Sequence, residues 1–203
     1  MNKVQICNAA LIALGANVIM SISQDTEEAR VCNAAFDMVL DEVLASHVWG
    51  CALEKASLAQ NTTTPLFGYA YSYALPVNPY CLRVVKLYEE EAYGYKWKIV
   101  GRTLETDSAT ATIEYIKRVT DLNALSPLLA NAVSARLAAE IAYRLTANAA
   151  MRETMWQLYT GKLAEAKQMD ALEGRETIDQ TSSWITARGE SSDNDLIYMD
   201  TND

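Results

Sequence analysis

Asp37-Met-Val-Leu-Asp-Glu-Val-Leu-Ala-Ser-His-Val-Trp-Gly-Cys-Ala52 is the stretch at which the chain changes character. Phe36, Val39, Leu40 and Val43 recur at spacings of three and four, the period of an amphipathic helix with one buried stripe. That pattern stops at His47-Val48-Trp49-Gly50, and from Leu53 the period falls to two. Helical period lies before this stretch and after residue 120, and strand period fills the interval. The expected fold class is therefore α+β: an antiparallel helical bundle of about four helices, an inserted small antiparallel β-sheet and an extended C-terminal tail. The expected boundaries are 1–52 and 120–175 for the helical body, 53–119 for the β subdomain and 176–203 for a polar, acidic extension that orders on a partner.

Toward the N-terminus, Val4, Cys7, Leu11 and Leu14 share one helical face, and Gly15 stands where a residue of positive φ ends a helix. Asp25, with Glu28 three residues on, reads as the cap of the second helix. Its stripe of Ala29, Cys32, Phe36, Val39 or Leu40 and Val43 should face the core, with Glu27, Arg30, Asp37 and Asp41 turned away.

Toward the C-terminus, Asn61-Thr-Thr-Thr-Pro65 is a loop, and Tyr69, Tyr71, Tyr73 and Leu75 alternate with small residues as a strand with an aromatic face. No basic residues interleave the tyrosines for base stacking, so burial or a subunit or sheet interface is expected there. Pro76 and Pro79 bracket a turn into a strand over 81–88; Glu89-Glu-Glu91 and Gly94 read as a polar connection. Tyr95, Trp97 and Ile99 alternate with Lys96 and Lys98, Gly101-Arg102 fits a type II′ hairpin turn, and 104–106 and 111–119 supply further strands. One sheet of about four or five strands is expected. Ser126 and Pro127 then open an alanine-rich helix to about Leu145, with Arg136, Glu140 and Arg144 expected as an outer ladder. Its inner side should carry Ala130, Val133 or Ser134, Leu137, Ile141 and Leu145. Asn148 can cap a last helix that buries Trp156, Tyr159, Leu163, Ala166 and Met169 and ends at Gly174.

The composition narrows the classes of function. Half of the 203 residues are apolar, enough for one ample core or a core with a subdomain. No run of about 18 apolar residues occurs, and the first residues lack a signal-peptide pattern, so synthesis in a cytoplasm and no membrane partner are expected. Cys7, Cys32, Cys51 and Cys81 are too scattered for metal-ligand pairs and too few for a disulfide scaffold, which leaves reduced, buried thiols. The formal charge of −9 argues against a surface built to neutralise phosphates. Residues 176–203 hold seven acids against Arg188 alone, so six of the nine excess charges lie in the tail.

Catalytic patterns are sparse. His47 is the single histidine, which excludes a site of several imidazoles, and beside Trp49 at a helix end it reads as a cap or packing residue. No P-loop, Gly-x-Ser-x-Gly or Gly-x-Gly-x-x-Gly occurs, and no cofactor is implied. Asp41 and Glu42, or Glu89 to Glu91, are adjacent in sequence and do not face each other across a scissile bond.

The order Asn8-Ala-Ala-Leu-Ile-Ala-Leu-Gly15, Leu44-Ala-Ser-His-Val-Trp49, Ala56-Ser-Leu58, Gly68-Tyr69-Ala-Tyr71, Leu75-Pro76 and Cys81-Leu-Arg-Val84, closed by an alanine-rich helix pair, resembles the tail tubular protein A, or head-to-tail adaptor, family of short-tailed bacteriophages. The resemblance covers about residues 3–172. It implies a non-enzymatic virion protein, assembled in the host cytoplasm, that forms a ring of twelve copies beneath the portal protein. Such a ring seals the filled head, passes the genomic DNA and carries the tail nozzle, or tail tubular protein B. It also implies a C-terminal segment reaching the portal, for which Trp184, Ile185 and Arg188 are the candidates, while His47 and Trp49 form a structural junction. Two other readings remain: a tail-associated cell-wall glycan hydrolase working through Glu89, Glu90 and Glu91, and a generic oligomeric scaffold protein.

Overall fold

The computed structural model describes residues 1–173, and these form a mixed α+β fold. The elements run α1 (Lys3–Ala13), α2 (Glu27–Ala45), β1 (Leu53–Ser57), β2 (Tyr71–Ala74), β3 (Cys81–Leu87), α3 (Tyr88–Tyr93), β4 (Trp97–Val100), β5 (Thr103–Thr106), β6 (Thr112–Lys117), α4 (Pro127–Thr146) and α5 (Ala149–Glu173). Trp184, Ile185, Arg188, the helix end at Gly174 and the acidic extension lie outside the described residues.

The helical body is organised around α4. Ser126 caps it by accepting from Leu129 N, with Pro127 in its first turn. From Leu129 to Ala142 every residue but Asn131 and Glu140 is buried, because α1, α2 and α5 all pack against this one helix. Six buried alanines supply the thin surface that lets three neighbours approach. The expected outer ladder is accordingly corrected: Arg136 is buried, pairing with Glu140 at 2.8 Å and with Glu42 of α2 at 2.8 Å, while Arg144 pairs with Glu27. An i, i+4 spacing identifies neighbours on a helix and says nothing of which side faces solvent.

The start of α1 carries a full capping box between Asn2 and Gln5, and Gly15 adopts φ +69° after its last turn. The cap of α2 is Thr26, not Asp25: Thr26 Oγ1 accepts from Ala29 N, Asp25 pairs with Arg30, and Glu28 accepts from Asn17. The buried stripe of α2 falls as its period predicts, with Leu44 added. In α5 the stripe holds at its centre, with Tyr159 and Ala166 buried and Leu163 half-buried, but at its ends Met155 replaces Trp156 in the core, and Trp156 and Met169 are exposed.

Six strands form two three-stranded antiparallel sheets, ordered β1-β6-β3 and β2-β5-β4, rather than one sheet. Period two identifies a half-buried strand and leaves its partner open. The sheets share a core of Leu58, Tyr73, Leu75, Cys81, Leu87, Leu104, Ala111, Ile113 and Tyr115. The acidic run expected as a connection is the short helix α3: three glutamates suit its N-terminal turn, and Gly94 at φ +76° closes it. Glu89 is buried there, its carboxylate accepting from Thr112 N at the start of β6. Val100 pairs with Thr103 around Gly101 at φ +59°, as the hairpin turn requires. β4 is more exposed than its alternation suggests, with Trp97 alone half-buried.

Candidate functional site

The helical body and the β module meet where α2 ends, and the residues that hold this joint are the site the fold singles out. The last carbonyls of a helix lack partners in the next turn. Here Val43 O accepts from Ser46 N (3.2 Å), Ser46 Oγ (2.7 Å) and the indole Nε1 of Trp49 (3.0 Å). A tryptophan four residues past the end thus caps the helix with its side chain and fills the core beneath it, at 1% exposure. Gly50–Ala52 forms one 3-10 turn, with Ala52 N donating to Trp49 O, and delivers the chain into β1.

His47 packs edge-on against Trp49, the ring centroids 4.7 Å apart at 73°. Its Nε2 lies 3.5 Å from Oδ2 of Asp170, near the end of α5, and the other oxygen of that carboxylate accepts from Gly50 N at 3.0 Å. One side chain from the last helix therefore clasps both sides of Trp49. Burial holds the His47 imidazole below its ordinary value; Asp170 pulls against this, while Lys167 and Arg83 push the same way as burial. At neutral pH the imidazole is neutral and serves as packing and as a hydrogen-bond partner. Burial, then Asp170, pushes the neighbouring Cys51 thiol up, which suppresses its thiolate.

A second tie lies farther along α2. Arg118, just past β6, makes a bidentate pair with Asp41, and its backbone N donates to Tyr80 O. The hydrogen bonds it donates to Asp41 hold its guanidinium charge firmly in place. The Tyr80 ring is approached by two cations, the guanidinium carbons of Arg102 and Arg118 lying 4.1 and 4.8 Å from its centroid. Arg102, at the tip of the β4–β5 turn, also donates to Cys81 O and Pro76 O. A continuous chain of polar contacts thus runs from α2 to the far hairpin.

The third tie lies within the body. Arg136 stands 5.1 Å from the ring centroid of Trp156 while pairing with Glu42 and Glu140. Burial opposes its charge, but the hydrogen bonds it donates to Glu140 and Glu42 outweigh that and keep it charged.

The structure brings His47 and Trp49 together. The three tyrosines separate: Tyr73 is buried in the shared core, its hydroxyl donating to Ser108 O at 2.8 Å; Tyr71 is half-buried against that core; Tyr69 stands outside the strand. Tyr73 thus serves the sheet interface. Of the acidic run, Glu89 is occupied by Thr112 N, Glu90 accepts from Trp97 Nε1 and Glu91 pairs with Lys86. Sequence reasoning missed Asp170, although an acid in the last turn of a helix opposes the dipole and so marks a side chain held by a specific partner. Among the described residues no group of three His, Cys, Asp or Glu could hold a metal, and no helix is long and apolar enough to cross a membrane. All four cysteines are unpaired thiols.

No protein-family model matches this chain, and no curated protein matches it.

Proposed function

We propose that this chain is a non-enzymatic connector, the head-to-tail adaptor of a short-tailed bacteriophage, which forms a ring between the portal and the tail nozzle. The observation that carries the reading is the joint. A helical core and a β core meet there: Ile116 of β6 is buried in the helical core, Asp41 of α2 grips Arg118 just past β6, and Asp170 of α5 braces His47 and Gly50 in the turn that leads into β1. A protein that must hold two different partners in fixed register needs two faces that do not swing, and such ties supply that. The order of elements also follows the resemblance: a short helix, a long helix ending in Trp49, an inserted β module and an alanine-rich helix pair.

In this reading α1, α2, α4 and α5 form the antiparallel bundle that packs side by side in the ring. Exposed Tyr143, Trp156, Leu158 and Met169 offer apolar surface for that packing. Trp184, Ile185 and Arg188 contact the portal, and the negative net charge lets DNA pass without adhering. The test is native mass spectrometry of the purified full chain with and without its portal, repeated after deletion of residues 177–203. A ring of twelve on the portal, weakened by the deletion, is the expected result. Absence of any ring on the portal refutes the reading; a ring indifferent to the deletion refutes the role given to the tail.

A further inference from the structure

β4 stands at the end of its sheet, and among the described residues its only ladder is to β5. The opposite edge of that sheet is covered: Gln60 bridges Tyr73, Asn61 N donates to Ser72 O and Ala74 N to Ala59 O. The two-residue turn makes Val100 and Thr103 a bonded pair, so bonded pairs recur at Lys98 and Glu105, and the N–H and C=O groups of Trp97 and Ile99 point outward. An open edge of this kind is a template for another strand, and natural edges are blunted by proline, a bulge, a covering loop or charged side chains such as lysine; Lys96 and Lys98 therefore repel a basic or like strand here and leave the edge selective for an acidic one. No proline or bulge interrupts β4.

The side chains along this edge give it a preference. Trp97 and Ile99 lie on one face, with Trp97 held by Glu90 through its indole N–H. Lys96, Lys98 and Val100 belong to the other face. There, Lys98 and Val100 line a hollow of about 650 Å³ with Ser72 and Glu105 as floor and Leu66 and Phe67 as wall. Leu66 and Phe67 are 98% and 86% exposed at the tip of an uncharged loop. Glu105 lies one strand inward of Lys98, so a strand laid outside β4 meets the lysines first.

We propose that the outer edge of β4 docks an extended segment of another protein in which apolar residues alternate with acidic ones. The backbone supplies the attachment. Apolar side chains lie beside Trp97 and Ile99, and carboxylates face Lys96 and Lys98 at the rim of the hollow. This goes beyond the connector reading and does not depend on it, because it rests on the edge and its charges alone.

The probe is a fluorescein-labelled synthetic peptide of alternating valine and aspartate, titrated by anisotropy against the full chain. Saturable binding is expected, at least about tenfold weaker for the Lys96→Glu/Lys98→Glu double variant and for a valine–lysine peptide. Ile99→Pro removes an outward N–H without touching the β5 ladder and is expected to weaken binding by a similar factor, with an unchanged circular dichroism spectrum as the folding control. A peptide N-methylated at alternate amides tests the backbone attachment without altering the protein, and it should fail to bind. No saturable binding to the natural chain, or equal binding of the N-methylated peptide, overturns the proposal. Oligomers of the natural chain that dissolve in Ile99→Pro, and that the peptide does not displace, assign the edge to a second copy and likewise overturn it.

Discussion

Replacing Trp49 by alanine is expected to cost about 3–5 kcal/mol of folding stability, the range for removing a buried large aromatic side chain. Trp49 is 1% exposed and lies in the core of the helical body, so the cavity it leaves is walled by packed helices and collapses poorly. Trp49→Phe separates the two roles of the side chain. It keeps most of the ring and loses the indole N–H, while Val43 O keeps its bonds from Ser46 N and Ser46 Oγ and is not orphaned. The expected cost is therefore about 1–2 kcal/mol, one hydrogen bond plus a small void. For a chain of this size the alanine variant should melt about 6–20 °C lower. Urea unfolding followed by circular dichroism gives both values, and an unchanged m-value confirms that the same surface is exposed on unfolding. Ser46→Ala combined with Trp49→Phe should cost more than the sum of the single changes, because the two side chains share one acceptor. A loss below about 1.5 kcal/mol for Trp49→Ala refutes the packing argument, and a loss below about 0.5 kcal/mol for Trp49→Phe refutes the capping argument.

Three further outcomes follow from the neighbouring contacts. Because burial depresses the folded-state pKa of His47, the unfolded chain binds its proton first, so the histidine removes stability as pH falls through its unfolded value of about 6.5 toward the lower folded one. His47→Gln should flatten that part of the stability–pH curve, and Asp170→Asn should lower the imidazole pKa further in a proton NMR titration; a rise would contradict the assigned contact. Arg136→Met keeps the stem and removes the charge between Glu42 and Glu140, both partly exposed and able to hydrate, so a loss of about 1–3 kcal/mol by chemical denaturation is expected rather than the larger cost of a sealed orphan charge; a gain in stability would show that the pairs do not offset their desolvation.

Much of the fold is legible because it depends on local signals. The stripe of α2, the Ser126–Pro127 and Asn148 helix starts, Gly15 and the Gly101 turn each follow from residue type and spacing alone. What escaped depends on neighbours that no spacing encodes. Arg136 sits on the polar side of its own helix, yet α2 and α5 close over that side, so only the assembled body makes it interior. Period-two alternation found the strands, but the division into two sheets is decided by β6, which inserts between β1 and β3 and leaves the β4–β5 hairpin to pair with β2. At the joint, His47 and Trp49 were visible as an unusual pair at a helix end. Their partner Asp170 lies more than a hundred residues away, and its only sequence signal is a carboxylate where the helix dipole disfavours one.

The central place of α4 also sets an order of events during synthesis. α1 and α2 are made first, yet the helix that buries their apolar stripes begins only at Pro127, after the whole β module. Until then two amphipathic segments wait with their stripes uncovered, while the β module already owns every strand it needs to close its separate core. The nascent chain therefore has, between two unfinished ends, a module whose own core can close while Ile116 on its other face still awaits the helices, and the ends can be drawn together only through that module. Asp170, among the last of the described residues to be made, arrives when everything it must grip is already in place.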